Sequence, residues 1–373
     1  MVANAPEGFT FAESEFMAHG ILRATQRMRS GCMRQFVGRL QSNLSPYYNH
    51  AHILLNSPKV RKFRSGDFDL VHSSQSLLDT NLPYVVDFEH ATAFCGYNQY
   101  ALKRPGFIRA LECILLNRNL KKLLAWSDAA AKSLTSVVQN EKIVRKVETF
   151  YPVMASAKRS PRACAPFNFL FIGNNFYAKG GYESLLAFEQ LAGGYDCHFT
   201  AIGDIPQEVY ARFGRNSKIT LSQPVPYVKI AEFYSNSDVF VFPSHYDTYG
   251  FVILEALSFG LPVISVDSFS TPELVRHKKT GLLIKTHFSS FANDFGYAAS
   301  TQPELNKRRI KACMNPPHWY VKLLSEAMAR MINDSRLRDE CSRNAIAETT
   351  QGRFSPKHSR EQLKRIYEEA LSA

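Results

Sequence analysis

The stretch Asp238-Val239-Phe240-Val241-Phe242-Pro243-Ser244-His245-Tyr246-Asp247-Thr248-Tyr249-Gly250-Phe251-Val252-Ile253-Leu254-Glu255-Ala256 decides how this chain is read. Val239–Phe242 is a short apolar run of the kind that forms a strand buried on both faces. A polar loop follows it. Val252, Ile253, Ala256 and Leu257 then recur at helical spacing, and Gly260 supplies a stop signal. The segment is therefore strand, loop, helix, with the helix expected to begin near Tyr249-Gly250. Asp247 falls in the loop and Glu255 about two turns inside the helix. Backbone N–H groups at such a helix start can hold phosphate, aided by the helix dipole. Gly250 would let the phosphate approach the backbone closely. The plainer readings are that Asp247 caps the helix and that Glu255 faces solvent.

Working outward, more runs of strand length occupy Phe169–Ile172, Cys197–Ile202, 219–221, Val263–Val266 and 282–284. Helical spacing separates them: Leu185, Leu186, Phe188 and Leu191 follow Gly180-Gly181, and Ile230, Phe233 and Tyr234 precede Asp238. Strands alternating with helices predict βα units and a parallel sheet covered on both faces. The first half repeats the pattern more faintly, with strands expected at 52–55, 70–72, Tyr84–Phe88 and 123–126. Helices are expected over 12–29, 100–117 and 128–138, and residues 1–3 read as the stub of a first strand. The Pro-containing stretch from Pro152 to Pro166 reads as a linker. Near the C-terminus, Ser355-Pro356 reads as an N-cap with a first-turn proline, and Leu363, Ile366, Tyr367, Ala370 and Leu371 form one apolar helical face.

The 373 residues and 45% hydrophobic content fit two domains with an ordinary core. No run approaches the roughly 18 apolar residues of a membrane span, and Glu7, Glu13 and Glu15 break up any signal-peptide pattern. The seven cysteines are scattered, the closest pair 18 residues apart, which excludes a C-x-x-C motif and fits a reducing, cytoplasmic setting. The net charge of +12 is uneven: residues 1–160 hold 21 Lys+Arg against 12 Asp+Glu. A basic first half favours an anionic acceptor or the cytoplasmic face of a membrane, the plain alternative being solubility. The candidate face comprises Arg23, Arg27, Arg34 and Arg39 with the segment 103–122, where Phe107, Ile108, Leu111, Ile114 and Leu115 interleave with Arg109, Arg118, Lys121 and Lys122; the plainer reading of that segment is a core-facing helix with a solvated rim. No RNP-like or helix-turn-helix signature supports a nucleic-acid partner.

Several motifs are missing. There is no Walker loop, because Lys179 precedes Gly180, and no G-x-G-x-x-G, H-E-x-x-H or G-x-S-x-G. Asp67-Phe68-Asp69 is a D-x-D, but it enters a strand, whereas ligands gather at the carboxyl ends of strands. It reads as a solvated strand entry, and no metal site is assigned.

In order, Gly173-Asn174 after a strand, Lys179-Gly180-Gly181 before a helix, the Asp247 to Glu255 pair, Gly260-Leu261-Pro262-Val263, Pro272-Glu273-Leu274-Val275 and Thr280-Gly281-Leu282-Leu283 resemble glycosyltransferase family 4. The resemblance covers 167–285. More weakly, Asp69-Leu70-Val71-His72, Pro83 to His90 and Leu124-Ala125-Trp126-Ser127 resemble strand ends of the family's first domain, and Arg353-Phe354-Ser355 its C-terminal segment.

The resemblance implies the GT-B fold: two Rossmann-like, doubly wound α/β domains facing across a cleft, with a C-terminal helix crossing back. Residues 1–152 would be the acceptor-side domain, 153–166 the linker, 167–352 the nucleotide-sugar domain with an insertion at 286–317, and 353–373 the returning helix. It implies a retaining, metal-independent transferase of hexose type, with a UDP- or GDP-sugar as co-substrate and no other cofactor. The acceptor would be a glycan or a lipid-linked or protein-linked carbohydrate. Gly173, Asn174, Lys179, Thr248, Tyr249, Gly250 and Phe251 would surround the nucleotide diphosphate. Glu255 would accept from the ribose hydroxyls, Asp247 from a sugar hydroxyl, and Glu89 or His90 would position the sugar from the facing domain. Two positions depart from the pattern. The family usually has Arg where Asn174 stands and Glu where Asp247 stands, which leaves a non-catalytic protein binding a sugar nucleotide or a partner as the alternative; a sugar-nucleotide epimerase of the same fold is a sibling reading.

Overall fold

The computed structural model describes residues 6–9, 58, 60–63, 68–98, 100–155, 157, 166–288 and 310–372. Two parallel sheets organise them. The first contains β2 (Val71–Ser74), β4 (Tyr84–Phe88), β5 (Leu120–Ala125) and β6 (Val147–Thr149) in that order, while β1 (Val60–Lys62) and β3 (Leu77–Asp79) form a separate parallel pair. The second contains β7 (Phe167–Ile172), β8 (Cys197–Ile202), β9 (Ile219–Ser222), β10 (Val239–Phe242), β11 (Val263–Val266) and β12 (Gly281–Ile284). Its order, β12-β11-β10-β7-β8-β9, is that of a doubly wound Rossmann sheet, whose order reverses between the first and fourth strands. Here those strands are β7 and β10, so the loops leaving Ile172 and Phe242 diverge on either side of a crevice. Every residue of β4, β10 and β11 is buried, as parallel strands covered on both faces require. This is the GT-B arrangement that the sequence leads one to expect.

The helices used below are α1 (Pro105–Leu115), α2 (Asp128–Thr135), α3 (Gly181–Leu191), α4 (Gln207–Phe213), α5 (Tyr227–Ser235), α6 (Phe251–Ser258), α7 (His318–Asn333), α8 (Ser335–Thr350) and α9 (Pro356–Ser372). The single helix expected over 100–117 is instead a 3-10 turn, Ala101–Lys103, followed by α1. Pro105 explains the break: it pushes Arg104 into extended backbone and then fits the first helical turn. Phe107, Leu111 and Leu115 of α1 enter the first domain's core. Three residues of the apolar stripe thus face the core, as the plainer reading of this segment has it. Among the described residues no helix is long and apolar enough to cross a membrane.

Helix α9 returns to the first domain. Phe354 lies in the core of the second sheet, whereas Leu363, Ile366, Tyr367 and Ala370 pack with Val85, Leu124 and Phe150 of the first. The Ser355 hydroxyl accepts from the His358 N–H (3.2 Å), the cap that Ser355-Pro356 signals. The strand expected at 52–55, the helix at 12–29, the stub at 1–3, Asp67, and Arg23, Arg27, Arg34 and Arg39 lie outside the described residues. So does 289–309 of the expected insertion, with Lys307, Arg308 and Arg309.

Candidate active site

Two loops meet at the switch point of the second sheet. One leaves β7 through Gly173 and the exposed Asn174 and runs to Gly180; the other leaves β10 and runs to Gly250. They touch at Gly180, which caps α3 with φ +80°; a Cβ there would stand 2.5 Å from the Pro243 carbonyl oxygen. Only glycine allows both that angle and that approach.

The crossing of the loops brings Lys179 to Asp247. Lys179 Nζ donates to Asp247 Oδ2 (2.7 Å) and to the Tyr246 carbonyl (2.6 Å), and both charged side chains are 18% exposed. An ammonium has three N–H groups, so one remains for an anion in the crevice. Asp247 Oδ1 accepts from the Tyr249 N–H (3.2 Å). Asp247 therefore shapes the loop by an Asx-type turn rather than capping α6, and the Tyr249 N–H, which the sequence reading assigns to the diphosphate, donates to that carboxylate. The cap residue of α6 is Gly250 at φ +92°. A Cβ at Gly250 would meet the Ile253 side chain of the same helix at 3.1 Å and Leu274 at an ordinary 3.6 Å, so it is chiefly the backbone angle that demands glycine there. The Ile253 N–H donates to the Gly250 carbonyl (2.9 Å), and the two N–H groups before it, those of Phe251 and Val252, have no intrahelical acceptor.

Glu255 is neither exposed nor unsupported. Its Oε1 accepts from the Tyr227 hydroxyl (3.1 Å) and its Oε2 from Tyr234 (2.8 Å), both on α5. Burial, and then the Glu255 charge, push the Tyr234 phenol well above its ordinary pKa, so it stays a donor. No motif announces this pair: Tyr234 reads only as part of an apolar helical face with Ile230 and Phe233, and Tyr227 belongs to no pattern in the sequence.

The first domain faces these loops with the carboxyl ends of β4 and β5. The Thr248 hydroxyl donates across the cleft to Glu89 Oε2, and the Tyr97 hydroxyl donates to Glu89 Oε1 (2.7 Å). Burial, and then the Glu89 charge, raise the Tyr97 pKa. His90 is 1% exposed, and its Nδ1 accepts from the Thr92 N–H (3.1 Å) as the cap of a 3-10 turn, Ala91–Cys95. Its ring meets Phe269 of the second domain at 5.5 Å. Glu89 thus reaches the opposite loop through Thr248. Trp126 packs edge-on against Phe251 (5.4 Å).

A residue quoted for its motif alone holds the two domains in register. Glu273 Oε2 accepts from the Asp128 N–H (2.7 Å) and Oε1 from the Ala129 N–H (2.9 Å), at the start of α2. The Tyr151 hydroxyl donates to the same carboxylate at 2.8 Å. Ser127, on the same helix end, accepts from the Ala130 N–H (3.0 Å). Asp69 of the D-x-D lies exposed before β2, at the amino end of the sheet and away from the cleft.

The architecture is shared with solved structures. The chain is similar to Anabaena Alr3699/HepE, solved with UDP and glucose, at a TM-score of 0.57 and 16% identity over 81% of this chain and 78% of that one. A glycosyltransferase from Rickettsia africae ESF-5 gives a TM-score of 0.59 and 16% identity over 88% and 81%. At these identities the likeness is one of fold. In sequence the chain is 22% identical over 301 residues to the capsular polysaccharide biosynthesis glycosyltransferase CapM of Staphylococcus aureus, covering 75% of this chain and 67% of that protein. It is 25% identical over 173 residues to a 41.2 kDa protein in the cps region of Klebsiella pneumoniae, 46% of this chain. The chain spans about half the length, or less, of the curated relatives first matched: 48% of the Klebsiella protein and 24% of a D-inositol 3-phosphate glycosyltransferase of Nocardia farcinica. Residues 157–315, which carry Gly173, Lys179, Asp247 and Glu255, match the family described as Glycosyl transferases group 1.

Proposed function

We propose that this chain is a retaining glycosyltransferase that moves a hexose-type sugar from a UDP- or GDP-sugar to an acceptor hydroxyl on a carbohydrate, without a divalent ion at the diphosphate. The observation that carries the reading is the convergence of Lys179, Asp247 and the start of α6 at the switch point between β7 and β10. Open α/β sheets bind nucleotides at that place. The match of 157–315 to the Glycosyl transferases group 1 family and the UDP-bound fold neighbours support it.

In this reading the third N–H of Lys179 and the first N–H groups of α6 stabilise charge developing on the leaving diphosphate. Glu255, held by Tyr227 and Tyr234, accepts from the ribose hydroxyls. Asp247 and Glu89 accept from hydroxyls of the transferred sugar. The bond from the anomeric carbon to phosphate breaks, the bond to the acceptor oxygen forms on the same face, and the acceptor proton passes to the leaving phosphate. Positive charge comes from Lys179 and the helix end, so added Mg²⁺ or Mn²⁺ should not change turnover.

The non-catalytic reading is favoured by one observation: Asn174 brings no charge, and Asp247 already engages the Lys179 ammonium. A thermal-shift screen of nucleotide sugars, followed by a transfer assay with the best binder, separates the two. Binding without consumption of donor would select the non-catalytic protein.

A further inference from the structure

Behind the loop that carries Asp247 lies a buried cluster of chemistry that the proposed reaction does not use. Glu183, in the first turn of α3, has a carboxylate with 0% exposure. Its Oε2 lies 2.7 Å from His245 Nε2 and its Oε1 lies 2.6 Å from His287 Nε2. The two histidine side chains are 1% and 4% exposed. Candidate ligand atoms of the three residues all lie within 4.8 Å of one another.

The orientation of His245 narrows what the cluster can hold. Its Nδ1 lies 3.0 Å from the Phe288 carbonyl oxygen and 3.1 Å from Thr286 Oγ1. A carbonyl oxygen only accepts, so the proton sits on Nδ1. In the neutral ring, Nε2 then aims a bare lone pair at the Glu183 carboxylate. Two lone pairs at that separation repel, and the contact calls for positive charge between them. A second unexplained group stands beside it. The Tyr320 hydroxyl is fully buried without a hydrogen-bond partner among the described residues, and its ring lies 4.4 Å from His287 and 5.8 Å from His245.

We propose that Glu183, His245 and His287 bind a divalent transition-metal ion of the zinc class. Two imidazole nitrogens and one carboxylate oxygen are a ligand set that zinc takes, with a fourth position left for water. The hydrogen bond from the far ring nitrogen of His245 to a backbone carbonyl is the outer support that fixes a metal-binding tautomer. The two His–Glu separations are those of hydrogen bonds, whereas ligands around tetrahedral zinc stand about 3.3 Å apart, so on the ion each of these opens by roughly 0.6 Å while the widest separation of the triad, 4.8 Å, closes by about 1.5 Å. Its role is positioning. It joins α3, the loop whose Tyr246 carbonyl receives Lys179, and the segment after β12, so three chain regions meet on one ion.

The test uses the full chain without a polyhistidine tag, loaded with Zn²⁺ alone and separately with Co²⁺ alone, then passed through a desalting column. We expect about one ion per chain by elemental analysis and a visible Co²⁺ absorption of the tetrahedral, imidazole-bound type. His287→Gln should weaken zinc binding at least tenfold, the loss that removing even an outer partner produces. His245→Gln should do the same. If wild type retains no ion and shows no Co²⁺ band, the charge in the triad is a proton and the proposal is wrong. It is equally wrong if both variants bind zinc as wild type does. If neither variant folds, the stoichiometry and Co²⁺ spectrum of wild type decide.

Discussion

Lys179 and Asp247, 68 residues apart in the chain, meet at 2.7 Å where the loops after β7 and β10 cross. The contact fixes the ammonium in the crevice before any ligand arrives. It also gives Asp247 a structural task beside the sugar contact proposed for it. The expected exchange of Glu for Asp at this position is thereby given a physical meaning: the shorter side chain keeps its carboxylate on Lys179 and on the Tyr249 N–H.

Lys179→Ala should weaken binding of a nucleoside diphosphate more than binding of the nucleoside alone. A lost charge-assisted hydrogen bond removes about 1.5–3 kcal/mol, or roughly 10- to 150-fold. Isothermal titration with both ligands checks this. Equal losses would place Lys179 away from the diphosphate.

Tyr234→Phe should lower stability by about 1 kcal/mol, because it deletes one of the two hydroxyls that hold Glu255. Glu255→Gln should leave the fold near its normal stability yet reduce transfer severely, since the amide cannot accept from ribose as the carboxylate does. Chemical denaturation and turnover, measured on both variants, separate support from function. A Glu255→Gln variant that unfolds, beside a wild type without any nucleotide-induced thermal shift, would make Glu255 structural.

Glu273→Ala should loosen the domains. It strips the first N–H groups of α2 of their acceptor and leaves the Tyr151 hydroxyl unpaired, a cap loss of about 1–2 kcal/mol. Faster hydrogen exchange at 128–131, with the β10 and β11 cores unchanged, is the expected result. Unchanged exchange there would mean that the contact carries no interdomain load.

The βα rhythm was legible because parallel strands buried on both faces read as unbroken apolar runs. Val239–Phe242 obeys that rule throughout, the stretch 169–172 of β7 is likewise unbroken, and Val263–Val266 is interrupted only by Ser265. The break at Pro105 was missed because the apolar spacing continues across it, while backbone sterics stop the helix. At the site, Asp247 and Glu255 were legible from the strand, loop and helix pattern around them, and Lys179 from the resemblance of its loop. What held them was not visible. Tyr227 and Tyr234 reach Glu255 from another helix, and Glu273 reaches Asp128 from another domain. His245 lies inside the quoted stretch, but its partners Glu183 and His287 lie 62 and 42 residues away, too far for any motif to register.

Docking of α9 should weaken in acid. The Glu148 carboxylate accepts from Arg365 and Gln362 of that helix and lies 3.4 Å from Lys122. Burial pulls its pKa upward, but the hydrogen bonds from Arg365 and Gln362 and the charges of Arg365 and Lys122 outweigh it, so the carboxyl is held below its ordinary value. A folded pKa below the unfolded one means that the stabilisation is present above the unfolded value, about 4.3, and is lost as pH falls through the folded one. Hydrogen exchange in 356–372 should accelerate across that acid window in wild type. Glu148→Gln should show the faster exchange already at pH 7 and a flatter pH response.

The central claim is sugar transfer from a nucleotide donor. Proton NMR of the full chain with its best-binding nucleotide sugar and a carbohydrate acceptor tests it most directly. The account predicts that the donor's anomeric signal is replaced, as nucleoside diphosphate appears, by a glycoside signal of the same anomeric configuration. Donor left intact at the level of a buffer control, or a first product of inverted configuration, would contradict it.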